Sequence, residues 1–177
     1  TDLGHKMIAD LICNLLDTEY SYYKKLGAEK KPSLPEPFTA SRYEDAQRFQ
    51  NYSCSPVMEG FEPDTHAAEQ WSDPFKGGWI AHKQGSCIKF NVSGSIIMLQ
   101  YRKTINKPAP VAYAVIDGDR QNKVLLDANF DEDWGDLCCL EEIYSGNKGE
   151  HTVEIVIDTE GKENSNFMLI SVITANK

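Results

Sequence analysis

The chain has 177 residues, of which 41% are hydrophobic and 25% charged, and its 27 acidic and 18 basic residues give a net charge of −9. These values are typical of a globular protein with one domain or slightly more, and they exclude a fibrous or largely disordered chain. So acidic a surface repels phosphates, which argues against nucleic acids and membranes as partners and leaves neutral ligands such as sugars open.

Apolar residues recur at helical spacing near the start of the chain, at Leu3, Met7, Ile8, Leu11, Ile12, Leu15 and Leu16. This pattern predicts an amphipathic helix over residues 1–27, which Thr1 or Asp2 caps and Gly27 ends. Its apolar face is wide and needs a surface to pack against. The rest of the chain offers few helices that could cover it.

Residues 28–52 form a predicted linker that contains a short helix. The segment KKPSLPEPF at 30–38 has three prolines, which cannot continue a helix and indicate an extended chain. Ser41 and Glu44 have the spacing of a capping box, so we expect a short helix from Arg42 to about Gln50.

Residues 53–177 have the character of a β-domain. Ile88, Phe90 and Val92 alternate with polar residues, which is typical of a half-buried antiparallel strand. Strands are predicted at 57–62, 78–82, 86–92, 95–102, 109–116, 123–126, 137–144, 151–158 and 166–174. The fold class is therefore mainly β: an antiparallel β-sandwich, of jelly-roll type, preceded by the helix and the linker.

The cysteines do not have the pattern of a disulfide framework. There are five, an odd number with no repeated spacing: Cys13, Cys54, Cys87, Cys138 and Cys139. Most lie in helical or strand patterns, where we expect small buried thiols. A reducing compartment, bacterial cytoplasm rather than a secretory route, is the favoured location.

The chain contains no recognisable catalytic motif. No G-x-S-x-G element is present, and His5, His66, His82 and His151 have no evident nucleophile and orienting acid beside them. His151, at the start of a predicted strand, is expected to be exposed. We predict no catalytic residue in this chain.

One acidic loop is a weak candidate for a metal site. Asp127, Asn129 and Asp131 imitate the start of an EF-hand loop, but Glu132 and Cys138 stand where such a loop needs glycine and glutamate. A different calcium site is one interpretation. A solvated turn is favoured, and no metal or cofactor is expected.

The tryptophans are a weaker and more general indication of a sugar ligand. Trp71, Trp79 and Trp134 lie near strand ends or in loops, where each could either stack on a sugar or fill the core. Trp134, inside an acidic loop, is the strongest candidate. Asp117 and Asp119 are candidates for contacting hydroxyl groups, although a tight turn after a strand also explains them.

The first twelve residues, TDLGHKMIADLI, resemble the segment that follows the last catalytic block of SGNH (GDSL-like) hydrolases. In that family an Asp-x-x-His block supplies the acid and base of the triad, and an amphipathic terminal helix follows. The resemblance places the catalytic histidine just before Thr1 and makes His5 a later, non-catalytic histidine. It therefore brings no catalytic residue into this chain.

The remaining residues resemble the β-sandwich found beside the catalytic domain in some bacterial members of the family, especially carbohydrate esterases. The similar segments are 78–79, 87–90, 115–118, 149–155 and 167–169. Those accessory domains are jelly rolls similar to galactose-binding modules.

The resemblance implies a non-catalytic C-terminal part of a carbohydrate (acetyl) esterase, which shapes the substrate cleft or holds an acetylated polysaccharide or oligosaccharide. The implied partner is an SGNH catalytic domain, in the same protein or a separate chain, on which the first helix packs. Two alternatives stay open. One is a free-standing carbohydrate-binding module; the other is an interaction module that docks or dimerises through the helix.

Overall fold

The structure is a computed structural model that describes residues 1–26, 39, 41–43, 45–66, 73–163 and 165–176. It divides into two compact units, Thr1–Thr39 and Ala40–Lys177. The first contains helix α1, Asp2–Leu26. The described part of the second contains nine strands: β1 Gln47–Phe49, β2 Val57–Glu59, β3 Phe61–Pro63, β4 Trp79–Ala81, β5 Cys87–Lys103, β6 Val111–Ile116, β7 Val124–Asp127, β8 Leu137–Thr159 and β9 Phe167–Ala175.

Helix α1 forms where the sequence predicts it. The backbone oxygen of Thr1 accepts a hydrogen bond from the His5 N–H at 3.1 Å, and Lys24 and Lys25 lie in the last turn, where they favour the helix dipole. The seven apolar residues of the predicted stripe are between 53% and 69% exposed. Among the described residues, no helix combines the length and apolar character that crossing a membrane requires.

Two long strands, β5 and β8, organise the sheet. They pair antiparallel from Cys87 opposite Val156 to Lys103 opposite Leu137, with register shifts in the middle, beginning at Gly94. The first half of β5 also pairs with β2, and its second half pairs with β9. The strand order is β3-β4-β9-β5-β8-β6-β7, with β1 on β9 and β2 on β5.

The two halves of this sheet share one hydrophobic core. Trp79 of β4 contacts Phe90 in the first half of β5 edge to face, with ring centroids 5.0 Å apart. Because β4 pairs with β9, and β9 with the second half of β5, this contact crosses from one half of the sheet to the other. The predicted mainly β fold, an antiparallel sandwich of jelly-roll type with an N-terminal helix, is confirmed.

Some predicted boundaries are wrong. The strands predicted at 86–92 and 95–102 are one strand, β5, and those at 137–144 and 151–158 are one strand, β8. The short helix predicted up to Gln50 is also wrong, because Gln47–Phe49 pairs with β9 as β1. The proline-rich segment 30–38 lies outside the described residues.

The turn after β6 leads to β7 and is held against β8 by hydrogen bonds. Asp117 and Gly118 have positive φ angles of 50° and 77°, and the Asp119 N–H donates to the Ile116 oxygen at 2.8 Å. One Asp117 oxygen accepts the Thr152 N–H, and the other lies 2.8 Å from Nδ1 of His151. These two contacts hold the pKa of Asp117 below its usual range.

His151 is therefore not exposed, contrary to expectation. Its side chain is only 9% exposed, and its ring lies 4.3 Å from the ring of Tyr144. Residue 151, predicted to begin a strand, lies instead in the middle of β8. There its ring packs against a neighbouring ring of the same strand rather than facing solvent. The pairing with Asp117 fixes the ring there.

Gly78, directly before β4, has its backbone in very close contact with the backbone of β9. A Cβ atom there would be 2.0 Å from the Leu169 oxygen and 2.8 Å from Cα of Ile170. These are backbone atoms of a central strand, so they cannot move aside as a flexible side chain would. The approach also lets the Gly78 oxygen accept hydrogen bonds from the Asp64 N–H and the Asn51 side chain.

We expect Gly78→Ala to lower the free energy of unfolding by at least about 2 kcal/mol, because β4 must move away from β9. Gly149→Ala is the matched control. Its Cβ would meet its nearest neighbour, His151, at 3.5 Å, so we expect a change within about 0.5 kcal/mol. Urea unfolding followed by tryptophan fluorescence measures both. Equal stabilities of the two variants would contradict the close approach.

At pH 7 we expect Asp117→Asn to destabilise the chain by about 1 kcal/mol, because the substitution removes the charged partner of His151. Asparagine itself is tolerated in the left-handed backbone conformation, so no strain is added. Asp117→Ala loses both hydrogen bonds and is strained, so its loss is larger. The lowered pKa means that the carboxylate's contribution is complete above the ordinary aspartate pKa of about 3.9 and is lost as the pH falls through the folded-state value. Melting temperatures between pH 7 and pH 2.5 should converge for wild type and Asp117→Asn. A constant gap would exclude this assignment.

Candidate functional site

The loop between β7 and β8 carries Trp134, which is 63% exposed. Phe130 of the same loop supports it edge to face, with ring centroids 5.0 Å apart and an angle of 88° between the planes. The ring is thus both accessible and held by a neighbour, which limits the entropy that it loses when a ligand stacks on it. Trp134 therefore offers an accessible ring face, and its role as a sugar platform stays a prediction.

Two ion pairs fasten this loop to the end of β5 and the residues after it. Asp131 pairs with Lys107, and Asp136 lies 3.7 Å from a terminal guanidinium nitrogen of Arg102. The Lys107 ammonium holds the pKa of Asp131 below its usual range. The loop that carries Trp134 is therefore anchored on both sides of the tryptophan.

The candidate metal ligands are used inside this loop. The side-chain oxygen of Asn129 accepts the Ala109 N–H at 2.8 Å, and Asp127 accepts from both the backbone and the side-chain nitrogens of Asn129 at 2.9 and 2.6 Å. Asp131 is paired with Lys107. In the described parts of the chain, no group of three or more His, Cys, Asp or Glu side chains is arranged to hold a metal ion. The geometry gives the metal interpretation of Asp127, Asn129 and Asp131 no support.

A third loop, of which residues 160–163 and 165–166 are described, reaches the same end of the sandwich. The Lys162 N–H donates to the Pro108 oxygen at 2.8 Å. Gly161 lies so close that a Cβ there would be 2.9 Å from the Pro110 nitrogen. The segments 103–110, 127–136, 160–163 and 165–166 therefore form one cluster, which we call the loop end.

Polar cavities open at the loop end. A cavity of about 330 Å³ is lined by Arg102, Thr104, Asn106, Lys162, Glu163 and Ser165. A neighbouring cavity of about 480 Å³ shares Lys162, Glu163 and Ser165 and extends to His82 and Asn166. Arg102 is not among the predicted site residues, although it lies at the end of a predicted strand, directly before a loop, which is a usable signal.

Asp117 and Asp119 lie away from the loop end. They follow the last residue of β6, whereas the loop end precedes its first residue, and six residues of strand span about 17–20 Å. Asp119 accepts from the Gln121 N–H and from the side chain of Asn122, which lowers its pKa. Both carboxylates build the turn after β6. The structure does not bring them together with Trp134.

The other two tryptophans differ from Trp134. Trp79 is 1% exposed and packs against Phe90. It has no free face for a sugar, so it is a core residue rather than a platform. Trp71 lies outside the described residues.

No protein-family profile matches the chain, and a search of characterised proteins finds no significant match. Solved structures do match. A two-domain esterase active on acetylated mannans, co-crystallised with mannopentaose, is 40% identical over 99% of this chain and 47% of its own, with a TM-score of 0.77. A second structure of that description gives 38% identity, 99% and 48% coverage, and a TM-score of 0.78.

A family two carbohydrate esterase from Cellvibrio japonicus shares the fold. The match covers 75% of this chain and 34% of that protein, with 15% sequence identity and a TM-score of 0.53. The present chain spans about half the length of the two-domain esterases that it matches. The resemblance to carbohydrate esterases is thereby confirmed, and the chain, a helix followed by a β-sandwich, fits the accessory β-sandwich part of such an enzyme.

Proposed function

We propose that this chain is the C-terminal accessory part of an SGNH-type carbohydrate esterase and that its loop end contacts the glycan. Trp134 carries the proposal, because it is exposed, supported by Phe130 and anchored beside polar cavities. The similarity to an esterase active on acetylated mannans supports an acetylated mannan as the substrate.

The chemistry belongs to the partner domain. The resemblance to SGNH hydrolases implies a serine that attacks the ester carbonyl, a histidine base and an oxyanion hole, none of which this chain is expected to supply. The accessory part would contribute binding energy at sugar residues remote from the ester, and this energy orients the substrate for attack. In this proposal the loop end shapes or covers the substrate cleft.

Helix α1 supports the same proposal. Its exposed stripe includes Leu3, Leu11 and Leu15, each more than 60% exposed. An apolar surface of this kind marks a contact with another protein surface. We propose that the SGNH catalytic domain covers this stripe, in the same protein or a separate chain.

The thiols bear on the location. Cys13, Cys54, Cys87, Cys138 and Cys139 are all free. Burial raises the pKa of Cys54, Cys87 and Cys138, so these thiols are less reactive than exposed ones. Unpaired thiols suit a reducing compartment, and we propose the cytoplasm of a bacterium.

Calorimetric titration with mannopentaose tests the role of Trp134. We expect saturable binding by the chain and at least a tenfold loss of affinity for Trp134→Ala, because truncating a stacking tryptophan costs more than about 1.4 kcal/mol. Leu140→Ala, at an exposed apolar residue of β8, is the control and should bind within twofold of wild type. Unchanged binding by Trp134→Ala would remove Trp134 from the site.

Size-exclusion chromatography with light scattering tests the helix. Without a catalytic domain, we expect the chain to associate without a fixed stoichiometry, because the stripe of α1 is exposed. Replacing Leu11 and Leu15 by Gln should make the chain monomeric without unfolding the sandwich, whereas replacing Asn14 and Asp17 by Gln should leave association unchanged. A discrete, concentration-dependent dimer that the Leu11 and Leu15 changes abolish would instead favour the interaction module.

A further inference from the structure

Two residues that line the smaller cavity at the loop end each have a buried polar atom without a partner. Among the described residues, Nε of Arg102 and Oγ of Ser165 are shielded from water and make no hydrogen bond. Both residues line the cavity of about 330 Å³. An unpaired buried donor costs about 1–3 kcal/mol, so a bound ligand that offers an acceptor would recover stabilisation here.

The lining of this cavity combines donors with acceptors. Arg102 and Lys162 can only donate, Glu163 can accept when ionised, and Ser165 and Asn106 can do both. An anionic ligand would meet the Glu163 carboxylate, and a cation would meet Arg102 and Lys162. A hydroxyl group, which donates and accepts at once, is the chemistry that satisfies all of them.

The size of the cavity limits the ligand. A volume of about 330 Å³ lies at the lower end of ligand pockets, and the adjoining cavity of about 480 Å³ continues from the shared Lys162, Glu163 and Ser165. A small polar unit therefore fills the first cavity, and a chain of such units can continue into the second.

We propose that this cavity is a subsite for one neutral sugar residue of the glycan, in which Arg102 and Ser165 donate hydrogen bonds to its hydroxyl oxygens. The inference rests on the proposed function, and it gives the glycan a second contact in addition to Trp134. In this proposal the two side chains rotate on binding, so that the unpaired groups reach the ligand. Asp136 holds the guanidinium of Arg102 from the loop that carries Trp134, so the platform and the subsite are joined.

Calorimetric titration of the chain with mannopentaose tests the subsite through Arg102→Lys and Ser165→Ala. Lysine keeps the charge opposite Asp136 but lacks the Nε donor, so we expect about tenfold weaker binding for each variant. Arg120→Lys is the matched control; Arg120 is 79% exposed, pairs with Glu154 and lies outside this cavity, and its variant should bind within twofold of wild type. Melting temperatures identify any variant that has lost its fold, and either variant suffices for the test.

The outcomes separate the two proposals. If Arg102→Lys and Ser165→Ala bind like wild type while Trp134→Ala loses binding, the subsite is wrong and the proposed function stands. If the wild-type chain does not bind mannopentaose, both are overturned. An oligosaccharide that carries glucuronic acid is the second probe. If it binds in an Arg102-dependent manner while mannopentaose binding does not depend on Arg102, the subsite recognises an anion and the neutral-sugar assignment is overturned.

Discussion

The fold depends on the bend that β5 and β8 make together. Gly94 and Gly149 face each other at this bend, and beyond it the register between the strands shifts. A Cβ at Gly94 would be 3.1 Å from the Ala175 oxygen, tighter than most side chains tolerate, so glycine allows β5 to cross the end of β9. Because both strands continue past the bend, one sheet supplies both faces that enclose the core.

This arrangement also decides where function can lie. With the strands committed to the core, the chain offers a ligand mainly its loops and the outer surface of the sheet. At one end the turn after β6 is closed by Asp117 and His151, whose polar groups are directed at each other. At the other end three loops meet around cavities and leave Trp134 exposed. His151 Nε2 is itself buried without a hydrogen-bond partner, so what distinguishes the loop end is its cavities and its exposed aromatic ring.

Much of the fold could be predicted from the sequence, because alternation in segments such as 88–92 reports directly on which side chains face a core. The bends could not be predicted. Ser93-Gly94-Ser95 and the polar run at 145–149 have the composition of hairpin turns, and local composition does not distinguish a turn from a bend in a continuous pair of strands. The capping-box spacing at Ser41 and Glu44 likewise predicted a helix, whereas pairing with β9 made residues 47–49 a strand. Tertiary pairing outweighed local preference there.

The candidate site could be predicted less well, since identical residue types have different roles. Trp79 and Trp134 both lie near strand ends, and only the register with β9 shows that Trp79 points into the core. The aspartates of the acidic loops look available in sequence, yet Asp117, Asp119 and Asp127 each accept hydrogen bonds from nearby N–H groups. The residues around Arg102 do not indicate the cavity, because Ser165, which lines the same cavity, is 63 residues away in sequence.

Two ion pairs at the loop end bear on how so acidic a chain could take the proposed neutral ligand. The net charge of −9 belongs to the whole surface, but at this end Asp131 and Asp136 are each opposed by a base, Lys107 or Arg102. Paired charges present hydrogen-bonding groups without a strong local field. Since a sugar hydroxyl gains little from a field and much from directed donors and acceptors, these two ion-paired carboxylates beside an exposed tryptophan suit the proposed neutral glycan better than unpaired ones would.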